Sequence, residues 1–269
     1  MAVPAVVSEV SHDYLDLVDN ALPGLVEGLY ITGSGVLDDF QPGRSDIDFV
    51  AVSSVPASAE QAAALQLVHT ALAQRHRRPY FDGPYVTWSQ LAAPPSIAEP
   101  GPQAHEGRVQ PKGRSDQHPV LWLTLARYGA AIRGPNRKDV SVHIDLGELA
   151  TWAAGNLDSY WRPWRARCSL LLSPAGLAAL GSWAPEWGVL GVSRLHYTLA
   201  TGDITSKRGA GEYARDAFDP RWHRVIDECL RIRSGVGGRS LYRTPFTRRS
   251  EALAFMGFVM DDARRFGPA

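Results

Sequence analysis

Cysteine is nearly absent: the 269 residues hold only Cys168 and Cys229, far apart and in no CxxC spacing. That excludes a disulfide framework and argues against a zinc site, because no His/Cys cluster surrounds either thiol. Net charge is lacking as well. Lys+Arg and Asp+Glu both number 28, with a pI near 7.1, so no overall basic field would draw the chain to nucleic acid or anionic lipid. No apolar run is long enough to span a bilayer, and Met1 to Val10 has no basic stretch leading into an apolar one, so a cytoplasmic protein without membrane contact is expected. There is no Walker pattern, which disfavours a P-loop kinase, and no internal repeat.

What is present is ordinary globular material, 45% hydrophobic and 21% charged, enough for one large domain or two modest ones. Apolar spacing predicts a helix over 7–22, ended by Pro23-Gly24, then a strand over 25–32 entering Gly33-Ser34-Gly35. A second strand is expected at 46–52, a helix at 58–75, and a third strand at 79–88 with a bulge or bend at Gly83-Pro84. Residues 92–119 carry Pro, Gly, Gln and His without a period and read as a long loop or flap. A helix over 120–132 follows. Beyond Val142 the pattern is helical, with segments at 145–165, 187–201, 205–217, 221–233 and 250–265. The expected organisation is a mixed α+β domain over 1–142 and a helical bundle over 143–269.

The chemistry is concentrated in Gly33-Ser34-Gly35 and Ser45-Asp46-Ile47-Asp48. Strand residues two apart share a face, so Asp46 and Asp48 present adjacent carboxylates that call for a cation. Oxygen ligands without His or Cys suit magnesium bound with substrate phosphates, and two ions at ~3.5–4 Å would activate a hydroxyl and stabilise leaving pyrophosphate. Glycine lets the backbone approach a triphosphate, and Ser34 and Ser45 add hydroxyls. Taken alone, an Asp-x-Asp pair is more often a solvated strand end.

A Gly-Ser turn after one strand, about a dozen residues, then Ser-Asp-x-Asp entering the next strand resembles the polymerase-β-like nucleotidyltransferase superfamily. Residues 29–52 are similar to the catalytic core of the streptomycin/spectinomycin adenylyltransferases. The likeness continues in Ser193-Arg194-Leu195-His196-Tyr197, Thr201-Gly202-Asp203-Ile204 and Lys207, which follow that family's Ser-Arg-x-x-Tyr, Thr-Gly-Lys-Ile and Lys block. The resemblance implies a polymerase-β-like domain with a mixed sheet followed by an all-α domain, with ligands in the cleft between. It implies transfer of AMP from ATP to an aminoglycoside-like hydroxyl, Arg194 and Lys207 on the triphosphate, and a role in antibiotic resistance.

The family's base is a glutamate after the third strand. Glu106 is the first positional candidate, with Asp82 and Glu99 as alternatives. Two positions depart from the family: the acidic residue that grips streptomycin falls near Ala184, with Glu186 a substitute two residues on, and the aromatic near adenine falls at Arg233. Tyr160, Trp161, Trp164, Trp183, Trp187 and Trp222 either line an acceptor pocket or pack the bundle. His12, His69, His76 and His118 show no partner spacing. Expected partners are a nucleoside triphosphate and a small, cationic, hydroxylated acceptor, on a monomer or weak homodimer. Rival readings keep the chemistry with a protein, tRNA or other metabolite as acceptor, or keep nucleotide binding without turnover as an antitoxin-type module.

Overall fold

The computed structural model describes residues 3–235 and 237–266, so the outermost ends of both expected domains lie outside the described residues. The chain separates into two compact units, 1–145 and 146–269.

The first unit is built on a six-stranded sheet of order β5-β4-β3-β2-β1-β6. Its elements run α1 (Ala5–Ala21), β1 (Gly28–Ile31), a 3₁₀ turn (Gly33–Gly35), β2 (Ile47–Ser53), α2 (Ala59–Arg75), β3 (Phe81–Thr87), α3 (Trp88–Leu91), β4 (Gly101–His105), β5 (Arg108–Gly113), α4 (Pro119–Tyr128) and β6 (Ala130–Arg133). Among the described residues only β2 and β3 pair in parallel, so the sheet is mixed as expected. Alternation sorts the strands by face. Leu29, Ile31, Ile47, Phe49, Phe81 and Tyr85 pack with Val7, Val10, Leu65 and Leu72 of α1 and α2. Tyr30, Val50, Val52 and Val86 pack with Trp122 and Leu125 of α4.

Three expectations from sequence are corrected. Residues 92–119 contain the β4–β5 hairpin, hidden because its strands carry Pro102 and Pro111 and show no apolar alternation. The helix expected to Ile132 stops at Tyr128, and Ala130–Arg133 instead pairs with β1. Gly83 makes no bulge: β3 stays in register with both neighbours, and a Cβ there would collide with the Phe49 carbonyl, so glycine permits close strand approach.

The second unit is helical: α5 (Leu146–Asn156), a π turn (Leu157–Trp161), α6 (Arg162–Ser169), α7 (Pro174–Ala178), α8 (Trp183–Thr201), α9 (Lys207–Ala217), α10 (His223–Ser234) and α11 (Pro245–Asp262). Its core gathers Leu157, Trp161, Val189, Leu190, Val192, Val225, Ile226, Phe255 and Met256. α8 runs through the middle, and Gly191 gives room for the Trp161 ring. Gly202 closes α8 at φ +67°, a left-handed cap that suits glycine. Among the described residues no helix is long and apolar enough to cross a membrane.

Candidate active site

The site is assembled at one end of the sheet, where β1 exits and β2 and β3 begin. Thr32 N–H donates to the Asp48 carbonyl at 2.8 Å, so the chain leaving β1 turns directly beside Asp48. Gly33 makes that turn at φ +57°, and a Cβ on it would collide with the Asp48 carboxylate. Glycine is therefore required twice over, by conformation and by the approach of the acid.

Asp46 and Asp48 flank the fully buried Ile47, which puts both carboxylates on the side away from the α1/α2 core. Asp48 is exposed and Asp46 partly so. Register then adds a third acid. Asp48 lies opposite Asp82 across the β2–β3 ladder, and Gly83 lies opposite Ala104, which sets His105 beside Asp82 on β4. The result is a row running from the Gly33 bend through Asp48 and Asp82 to His105.

Asp82 differs from the other two acids in being buried, with 8% of its surface exposed. Its Oδ1 accepts the Glu106 N–H at 2.9 Å, and Oδ2 lies 3.3 Å from His105 Nδ1. Burial pushes its carboxyl up to about 7; the Glu106 N–H and His105 pull the other way, while repulsion from Asp46 and Asp48 adds to the rise. Such a carboxyl is suited to proton transfer near neutrality.

The three base candidates thus sit differently from their order in the sequence reading. Glu106 occupies the tip of the β4–β5 hairpin at φ +49°, contributing its main-chain N–H to Asp82 while its own residue surface is exposed. Glu99 precedes β4, and its carbonyl accepts from Gln90 of α3, at the far end of β3. Only Asp82 stands in the row. The sequence hides this row because it follows from cross-strand register, which local spacing does not reveal.

Ser34 lies in the 3₁₀ turn, partly exposed. Ser45 is 7% exposed, and its Oγ accepts the Gln41 N–H at 3.0 Å, so it closes the loop that delivers Asp46. One residue absent from the sequence reading joins the site. Arg78 Nη1 lies 3.1 Å from Asp46 Oδ1, with its guanidinium 3.9 Å above the Tyr80 ring. The basic run His76-Arg77-Arg78 directly before β3 was the available signal.

Among the described residues, no three or more His, Cys, Asp or Glu side chains group as a metal cage. The pair Asp46 and Asp48 nevertheless fits a hard cation that draws its other ligands from phosphate and water. Arg78 on Asp46 shows that this carboxylate takes a positive partner.

In the helical unit, Arg194 sits mid-way along α8, partly buried, two turns beyond Trp187 on the same stripe. Lys207 opens α9, and its Nζ lies 4.7 Å from the centre of the Trp187 ring. The bundle thus brings Arg194 and Lys207 to one side of α8. His196 faces inward instead, bridging Tyr213 at 2.9 Å and Asp262 at 2.8 Å. Of the aromatics, Trp161 and Trp222 pack the bundle, while Trp183 stacks on Trp187 at 5.7 Å and remains 60% exposed.

Residues 166–256 match the sequence model of the family described as aminoglycoside adenylyltransferase, C-terminal domain. The chain thus carries, over that segment, a likeness to the aminoglycoside adenylyltransferases. Its architecture is that of the spectinomycin adenyltransferase AAD(9) from Enterococcus faecialis, solved with ATP and spectinomycin. The two superpose with a TM-score of 0.72 at 14% identity, over 95% of this chain and 98% of the other. No curated protein matches in sequence. The two departures also find places. Glu186 and Arg233 are both buried and face each other at 3.9 Å, so the substitute acid is turned to an arginine of α10.

Proposed function

We propose that the chain transfers AMP from ATP to a hydroxyl of a small cationic acceptor of the aminoglycoside kind, releasing pyrophosphate. The observation that carries this reading is the row of Asp48 and Asp82, with Asp46 on the same face and Asp48 pressed against the Gly33 bend. The match of residues 166–256 to the adenylyltransferase family supports it, as does likeness in fold to a protein solved with ATP and spectinomycin.

The reaction is an in-line displacement. The acceptor oxygen forms a bond to the α-phosphorus, and the bond from that phosphorus to the oxygen bridging to the β-phosphate breaks. The electron pair of the broken bond leaves with pyrophosphate. Asp82 receives the acceptor hydroxyl's proton, the role that the sequence reading offered first to Glu106. Asp46 and Asp48 are the residues that would hold magnesium, which would supply charge neutralisation of the phosphates there. Gly33 and Ser34 bring main chain and hydroxyl to the triphosphate, while Ser45 fixes the approach of Asp46. Arg194, a forked donor, and Lys207, a point charge at a helix start, neutralise the nucleotide tail. Arg78, paired with Asp46, adds a further cation at the same rim.

The test is direct. Purified protein is incubated with magnesium, each of the four ribonucleoside triphosphates and a panel including spectinomycin and streptomycin, and pyrophosphate release is followed alongside the acceptor's mass. Transfer of one AMP to spectinomycin is expected. Pyrophosphate release without a modified acceptor anywhere in the panel would overturn the acceptor assignment, and neither product would overturn the reaction.

A further inference from the structure

The tip of the β4–β5 hairpin does more than connect two strands. Its residues surround one carboxylate: Glu106 N–H binds Asp82 Oδ1 at 2.9 Å, and His105 Nδ1 stands 3.3 Å from Oδ2. The tip is itself pinned. Gln66 of α2 donates to the Gly107 carbonyl at 3.1 Å and accepts the Val109 N–H at 2.7 Å, so the hairpin is fastened to a helix of the core. Glu106 and Gly107 both adopt left-handed conformations, at φ +49° and +76°, and the tight turn they form aims the N–H at Asp82. An unbraced carboxylate would rotate about its last bond, whereas one held at both oxygens is fixed in plane.

Resting on the reading of Asp82 as the base, we propose that His105 is a positioning residue for the transfer: it fixes the free oxygen of Asp82 that Glu106 N–H leaves unheld, so that the carboxylate meets the acceptor hydroxyl in one orientation. His105 is 68% exposed in its side chain. Contacts of this kind at 3.3 Å tighten when the substrate completes the site.

The experiment compares His105→Ala, His105→Asn, Asp82→Asn and the double variant His105→Ala/Asp82→Asn, assayed with magnesium ATP and spectinomycin. His105→Ala lowers kcat by about 10- to 100-fold, the cost of a misplaced reacting group, and leaves KM for ATP within about twofold. His105→Asn recovers most of the loss, because its amide nitrogen occupies the place of Nδ1. In the Asp82→Asn background, removing His105 costs nothing more, which a purely structural role would not produce. A second measurement needs no turnover: in the nitrogen-15 spectrum of the histidine rings, Asp82→Asn moves the His105 Nδ1 resonance.

An unchanged kcat in His105→Ala beside a crippled Asp82→Asn would overturn the role of His105 alone. A loss that persists in full without Asp82, or an Nδ1 resonance indifferent to Asp82→Asn, would do the same. Full turnover by Asp82→Asn would overturn the base reading, and His105's role with it.

Discussion

Two carboxylates, one in each unit, show how differently the two halves of this chain use charge. Glu228 on α10 is fully buried, and burial by itself would raise its carboxyl. Arg231 at 2.9 Å, Ser240 and the Leu241 N–H outweigh that and bring it down to about 2. Arg248, nearly as buried, approaches to 3.4 Å. Asp82 in the sheet unit is also buried but is pushed up to about 7, with Asp46 and Asp48 adding to the rise. A buried acid that is fully answered holds structure together; one crowded by its own kind stores the capacity to take a proton or call in a cation. The helical unit spends its ionic groups on internal ties, among them Glu186 with Arg233 and His196 with Asp262, whereas the sheet unit keeps Asp48 exposed and Asp46, paired with Arg78, partly exposed at its rim.

The contrast breaks most visibly if an exposed acid is removed. Asp48→Asn, nearly isosteric, is expected to lower turnover on the order of 10³-fold while leaving the thermal transition in place, as checked by pyrophosphate release and calorimetry. The opposite pattern is expected from the answered acid. Glu228→Ala leaves Arg248 and Arg231 uncompensated and costs about 3–5 kcal/mol of stability, read as a lower denaturation midpoint.

Acidification separates the units in another way. His69 of α2 is buried against Phe49 and Phe81, and burial lowers it to about 4 from its ordinary 6.5. Folded protein therefore binds fewer protons than unfolded chain between those values. The associated stability, about 3 kcal/mol, is whole above pH 6.5 and is lost as the pH falls to 4. Glu228 is depressed too, so its contribution is whole above pH 4.5 and is lost only as the pH falls through about 2. Hydrogen exchange should accordingly weaken in β2 and β3 at pH 5 before it weakens in α10, and simultaneous loss would remove the distinction. The smallest effect sharpens the assignment of the base: Glu106→Gln keeps the main-chain N–H that Asp82 needs, so kcat should stay within about twofold of the parent.

Much of this arrangement was legible in the chain because it is local. Gly33, Asp46 and Asp48 sit on one strand–turn–strand passage, where alternation alone decides which side chains share a face. Arg194 and Lys207 came from a second contiguous block, and the helices around them from apolar period and breakers. What was missed depends on pairing between distant segments. The β4–β5 hairpin has no apolar alternation and is held by Gln66 from α2, so its strands left no periodic trace. Residues 130–133 looked like the end of a helix because Ala-Ala-Ile-Arg has no strand signature until β1 lies beside it. Asp82's place beside Asp48 appears only across the ladder, and Arg78 enters only once the turn before β3 brings it to Asp46.

The most direct measurement is a crystal structure of the protein soaked with manganese and a non-hydrolysable ATP analogue, with the metal located by its anomalous signal. Manganese shared by Asp46 and Asp48, with the triphosphate alongside Gly33 and Ser34, is the predicted result. A nucleotide bound away from the Gly33 bend, or manganese ligated by neither aspartate, would contradict it.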